Sequence, residues 1–427
     1  MPISAVSYGY LQLAHDLQGW VFTDLPEGIG FDRAPAWWPL LPLAVAGVLV
    51  GLTIHYLPGK GGESPAEGFK PRGAPSAIEL PGIALAALAT IGLGVVLGPE
   101  APLIALGGGI AVYAVRLAKR DIPQRTGAVV ASAGSFAAVS TLLGSPLLGA
   151  FLLMEASGLG GPTMALVLVP GLLAAGIGSL IFIGLDAWTG LGTTSLVLPA
   201  LPQFGRPDVA EFGWALAIGM IAAFLGTGIR RLALLLRPHV ERRLLVITPL
   251  VGLVVAGLAI AYAEATGKNS SDVLFSGQSQ MGPLLAHSAG YSAGALLLLV
   301  ACKGLAYSAS LSSFRGGPVF PAMFIGAAGG MAMSHLPGLS LAPGVGMGIG
   351  AMCVVMLKLP LTSVLLATLL LFSNGLAMMP LVIVAVVVAY VASTRLAPAP
   401  APGPAPTPTP AAVPPPTPAA AREPSRR

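Results

Sequence analysis

Apolar stretches close to bilayer length in helical form recur from one end of this chain to the other, and they decide what it can fold into. The plainest are Trp37–Leu57, Ile83–Leu97, Leu166–Leu185, Phe212–Thr227, Leu245–Ala263, Ala289–Leu305 and Leu376–Ala392, and across all of them the only Asp, Glu, Lys or Arg is Lys303. A helix needs about 20 predominantly apolar residues to cross the hydrocarbon core. Charged residues make up 9% of the chain, against roughly 25% in soluble domains, so a water-facing surface could not be covered. The chain is expected to be an all-α, polytopic protein of the cell membrane. Several windows fall short of a full span, and short or Gly/Pro-interrupted apolar segments point to broken helices around a buried site.

Four zones follow from the composition: an N-terminal segment (1–34) with an interfacial helix expected at Ala5–Gln18, a first membrane repeat (35–205), a second (206–396), and a tail (397–427). The tail holds 12 of the 40 prolines and is expected to be extended, disordered and polyproline-like. The first 30 residues carry Asp16, Asp24 and Glu27 with no basic start, so the first span is expected to serve as the insertion signal. Net charge is +5. The basic cluster Arg230–Arg243 is brief and flanked by apolar windows, which places it on the cytoplasmic side and argues against nucleic acid as a partner. Cys302 and Cys353 lie apart in apolar surroundings and read as core residues.

The two membrane zones look related. The first carries GPEAPLIALGGGIA at Gly98–Ala111 and SPLLGAFLLME at Ser145–Glu155. The second carries GGPVFPAMFIGAAGG at Gly316–Gly330 and LPLTSVLLATLLL at Leu359–Leu371. In each, a Gly/Pro turn opens a helix rich in small residues. Proline is at home in the first helical turn, so helix N-termini are expected at Pro99–Pro102 and Pro318–Pro321, within the membrane. Free N–H groups and the positive helix end favour an anion there. Glu100 is itself an anion at that place: it can occupy the site as a tethered competitor and leave it when protonated, which makes it a gate candidate.

The order of these motifs resembles the CLC family of chloride channels and chloride/proton antiporters. The residues that carry the resemblance are GGESP at Gly61–Pro65, GPEAP at Gly98–Pro102, VSTLLGSPLLGAFLLME at Val139–Glu155 and GPVFP at Gly317–Pro321, and it covers about residues 35–395. It implies an inverted-repeat bundle of tilted and broken helices, assembled as a homodimer. It places Glu100 on the gating glutamate, Pro318, Val319 and Phe320 on a turn whose amides line the anion site, and the Gly61–Pro65 loop where a serine hydroxyl meets the central anion. Ala101 follows the gate in the same turn. The chain departs from the pattern in four places. Gly62 stands at the serine position, with Ser64 two places on. Pro318 has no N–H. Ala156 replaces the internal proton glutamate, leaving its neighbour Glu155 as candidate proton relay. No Tyr follows Arg395, where the family closes the inner side of its site.

Two further charges are candidate pore residues, Arg315 beside the second turn and Lys303 in VACKGLAYSAS. No His/Cys/carboxylate set has metal-ligand spacing, and no nucleophile/base pair stands out, so neither an enzyme nor a cofactor is expected. The function read from the chain is transport of chloride or a similar small anion, with protons as a second partner and the bilayer as surroundings. The alternative is a secondary transporter of another solute on a related plan. The scarcity of intramembrane polar side chains beside backbone-rich turns favours a simple ion.

Overall fold

Every apolar window becomes a helix, and the Gly/Pro turns become the breaks between helices. The computed structural model describes residues 2–68, 73–157, 162–190, 198, 201–371 and 374–396; the proline-rich tail lies outside them. Residues 1–396 form one compact unit, with no strands among the described residues. The N-terminal segment gives α1 (Pro2–Gly19) and the short α2 (Leu25–Gly28). Residues 35–205, the expected first repeat, hold α3 (Leu40–Tyr56), α4 (Leu80–Gly92), α5 (Glu100–Ala118), α6 (Gln124–Leu143), α7 (Pro146–Ser157) and α8 (Pro162–Thr189). Residues 206–396, the expected second, hold α9 (Val209–Arg242), α10 (Leu244–Thr266), α11 (Gln278–Ala286), α12 (Ala293–Ser313), α13 (Val319–Met333), α14 (Leu341–Leu357), α15 (Pro360–Leu370) and α16 (Gly375–Leu396).

Of these, α5, α6, α9, α10, α12 and α16 are long and apolar enough to cross a bilayer, while α3, α4, α7, α13, α14 and α15 are apolar but shorter. The bundle exposes large apolar side chains on its flanks, such as Leu49, Phe224, Val254 and Val387. In water that would be a liability; against lipid tails it costs nothing. Because lipid is as apolar as a leucine side chain, helix association depends on close backbone approach at small residues. Gly326 and Gly330 of α13 lie against Gly348 and Gly344 of α14, so that a Cβ on either would overlap the facing carbonyl oxygen. Gly107 of α5 and Gly134 of α6 meet in the same way. The pair α5/α6 therefore resembles α13/α14 in its glycine-mediated packing.

A helix, α1, covers the expected segment, and it is not loose. Ser4, Ser7, Tyr8 and Ala14 are buried, and the Tyr10 hydroxyl donates to the Ala84 carbonyl at 3.0 Å while Gln18 Nε2 donates to Ile91 O at 2.8 Å. These two bonds join the helix to α4, and it packs on α6 and α8 as well.

Candidate functional site

The centre of the molecule is made by two turns of identical design. Pro99 caps α5 and Pro318 caps α13, with φ/ψ of −83°/−3° and −92°/−5°. Neither cap supplies a side-chain acceptor, so the first N–H groups of both helices stay free for something else. The turns are clasped to each other: Gly98 N donates to Gly317 O at 2.8 Å and Gly317 N donates to Gly98 O at 2.6 Å, an isolated antiparallel bridge. Residues remote in sequence thus bring two helix N-termini to one buried point.

The Glu100 side chain occupies that point. It is fully buried, and its Oε1 accepts from the Phe320 N–H of the opposite repeat at 2.9 Å. The backbone N–H groups of Val319 and of Glu100 itself also face the carboxylate. Oε2 has no hydrogen-bond partner and rests against Gly98 and Gly317; a Cβ on Gly317 would overlap it, and the Ala101 amide borders the same spot. The glycines are needed here for space. Val319 and Phe320 are wholly buried. Pro318, lacking an N–H, contributes its carbonyl instead, which accepts from the buried Tyr307 hydroxyl at 2.8 Å. Tyr307 thereby fixes the turn from behind, a role that sequence reading did not assign to it.

The chain just before the Gly61–Pro65 loop is tied to the second turn's approach by Arg315. The guanidinium Nε donates to Lys60 O at 3.3 Å and Nη1 to Phe314 O at 3.2 Å, joining the first-repeat loop to the second-repeat turn. The loop is also held by Glu67, which pairs with Arg237 at 2.8 Å. Gly62 has φ +94°, and among the described residues neither it nor Ser64 makes a hydrogen bond to Glu100, Val319 or Phe320.

Glu155 lies elsewhere. At the end of α7, its carboxylate accepts from Leu361 N at 2.9 Å, Thr362 N at 2.7 Å and the Thr362 hydroxyl at 2.7 Å. It caps the N-terminus of α15, the helix of the opposite repeat that begins at Pro360. Lys303 is also removed from Glu100. Fully buried, its ammonium donates to four consecutive carbonyls, those of Asp272, Val273, Leu274 and Phe275, at 2.9, 3.0, 2.9 and 3.3 Å. It lies 4.3 Å from the centroid of the Phe324 ring. An ammonium has three donors, so the four acceptors share them. The Asp272 carboxylate accepts from Tyr291 at 2.9 Å and Tyr262 at 3.4 Å. Burial raises this carboxyl above its ordinary range, against the opposing effects of the Tyr291 hydrogen bond and the Lys303 charge.

What this centre can do follows from its parts: fixed N–H dipoles converge in the protein interior on a tethered carboxylate. Comparison with known proteins agrees in kind. The family model described as "Voltage gated chloride channel" matches residues 43–394. YfeO of Salmonella schwarzengrund, a protein named for ion transport, is 31% identical over 340 residues, which is 77% of this chain and 76% of that one. A slow cyanobacterial Cl−/H+ antiporter superposes with TM-score 0.74 at 18% identity, covering 93% of this chain and 92% of that one. A CLC-type fluoride/proton antiporter does so with TM-score 0.64 at 21% identity, covering 92% of each.

Proposed function

Because this chain belongs to the voltage-gated chloride channel (CLC) family, whose members are multi-pass membrane channels and transporters and not enzymes, we propose that it carries chloride or a closely similar small anion through the Glu100 site, with Glu100 as the gate. The observation that supports this most is the 2.9 Å bond from Phe320 N to the Glu100 carboxylate: a group built to hold a carboxylate by backbone N–H donors can hold a halide at the same donors. Displacement of the side chain by the anion, helped by protonation, opens the path. Exchange of the anion for protons is the mode this reading favours, since a titratable carboxylate at the anion's own position carries the proton in the same step that frees the site. The two solved relatives are named for halide/proton exchange.

Arg315, beside both loops, draws anions toward the centre. Glu155 is the remaining candidate for proton relay, and its three donors argue for a structural duty instead. The family plan further suggests a homodimer with one pathway in each subunit.

The test is flux from proteoliposomes holding the purified protein. Chloride efflux, accompanied by proton uptake when chloride is the driving gradient, is the expected result. No movement of chloride, fluoride or nitrate, with an organic solute moved in their place, would overturn the proposal in favour of a secondary transporter of another class.

A further inference from the structure

A fixed cation that touches no solvent, no carboxylate oxygen and no pathway needs a reason to be there. Lys303 has its whole hydrogen-bonding capacity turned on one short segment, residues 272–275. Four adjacent carbonyls pointing inward repel one another and cannot stay so in a buried place without a donor. The ammonium is what lets the segment adopt this form. The segment bears the mark of being held: Phe275 has φ +59°, a left-handed conformation that a bulky residue keeps only when its surroundings impose it. Its N–H donates to Gly94 O at 3.0 Å, four residues ahead of Gly98, and its ring meets Phe22 edge-on with centroids 4.9 Å apart. Gly277, at φ +90°, lies against Phe324, whose ring also faces the ammonium. Phe324 is one helical turn beyond Phe320. Lys303 therefore ties the 272–275 carbonyls to α12 and packs on Phe324 of α13, while Phe275 ties the segment to Gly94, just ahead of the turn that carries Glu100.

That segment is a wall. A cavity of about 50 Å³ is lined by Phe275, Ser276, Gln278 and Gln280, by Pro99, the residue before Glu100, and by residues of α1. Its α1 lining includes the exposed His15. Such a space takes a few waters, and Gln280 Oε1 has no hydrogen-bond partner within the protein. We propose that Lys303 is a specificity-determining positioning residue: by holding the carbonyls of residues 272–275 it fixes the wall of the cavity beside Pro99, and so limits the size of anion that reaches Glu100. The inference rests on the anion-transport reading above. Lys303 acts here through the wall it holds and not by touching the ion.

The experiment compares efflux of chloride, nitrate and thiocyanate from proteoliposomes for the wild type, Lys303→Met and Phe275→Leu. Misplacing a site by about 1 Å can cost on the order of a hundredfold in rate, so Lys303→Met is expected to slow chloride by roughly tenfold and to raise the thiocyanate-to-chloride ratio at least ~threefold. Phe275→Leu, which trims the wall and keeps the lysine, is expected to raise the same ratio. If Lys303→Met slows all three anions equally, the lysine merely supports the fold and the inference is overturned. If that variant cannot be recovered folded, an unchanged ratio in Phe275→Leu overturns it. A wild type that moves none of the three anions refutes the transport reading itself, a result distinct from either.

Discussion

Replacing Glu100 with Gln separates the shape of the gate from its charge. The amide has the same outline as the carboxylate, so it still fits between Gly98 and Gly317, where there is no room for a Cβ. Its oxygen can still accept from Phe320 N, now at 2.9 Å from Oε1. What changes is the strength of that bond. A hydrogen bond to a charged acceptor contributes about 1.5–3 kcal/mol and a neutral one about 0.5–1.5 kcal/mol, so docking weakens by about 1–1.5 kcal/mol. The ratio of docked to released side chain should fall by roughly five- to twelvefold, since about 1.4 kcal/mol corresponds to a factor of ten. In the proposed mechanism the wild-type carboxylate docks as an anion and lets go when protonated, so wild-type chloride flux should rise as pH falls. The amide cannot titrate, and Glu100→Gln should show flux that is higher at neutral pH and flat across the acid range. Chloride efflux from proteoliposomes at a series of pH values measures both. A variant that keeps the wild-type pH slope would show that some other group sets it, and would refute the reasoning.

Gly317→Ala places a methyl against Glu100 Oε2, the end of a movable side chain; the protein should fold while the carboxylate is driven from its position, and flux should lose its pH response much as in Glu100→Gln. Glu155→Ala removes the cap on α15 and should lower stability by about 0.5–2 kcal/mol, seen as a lower melting temperature in detergent; proton flux that disappears with unchanged melting would mark Glu155 as a relay instead. Tyr307→Phe leaves the buried Pro318 carbonyl without its donor and should destabilise by about 1–3 kcal/mol, measured by thermal unfolding. Gly330→Val drives two methyls into the α14 backbone at Gly344; overpacking of this kind costs about 1–3 kcal/mol or more, and the variant should be recovered in low yield as folded protein.

The helices were legible because their cause is local. An apolar window such as Leu245–Ala263 has one stable outcome in lipid, and α10 is found there. The Gly/Pro turns were legible for the same reason: a proline in the first turn announces a helix start, and α5, α13 and α15 begin where such prolines stand. What sequence could not convey is which distant group completes each turn. GP at 98–99 and GP at 317–318 are visibly alike, yet their mutual hydrogen bonds depend on the fold of both repeats. Glu155 reads as an intramembrane carboxylate in want of a role, and only packing reveals the α15 amides in front of it. Lys303 shows the limit most clearly. A lone lysine in an apolar run suggests a pore; its four carbonyl partners come from a segment some thirty positions back, with no pattern that periodicity could detect.

The clasp between Gly98 and Gly317 has a consequence for how such a protein is made. A ribosome delivers the first repeat to the bilayer well before the second. Until α13 arrives, the first turn of α5 lacks the partner that takes up its Gly98 amide and carbonyl, and the Glu100 carboxylate lacks the Phe320 donor. The nascent half therefore carries a polar notch at membrane depth, a condition lipid does not tolerate for long. The mutual hydrogen bonds of Gly98 and Gly317 can form only once α13 is in place, so the two turns close on each other after the first has already been inserted.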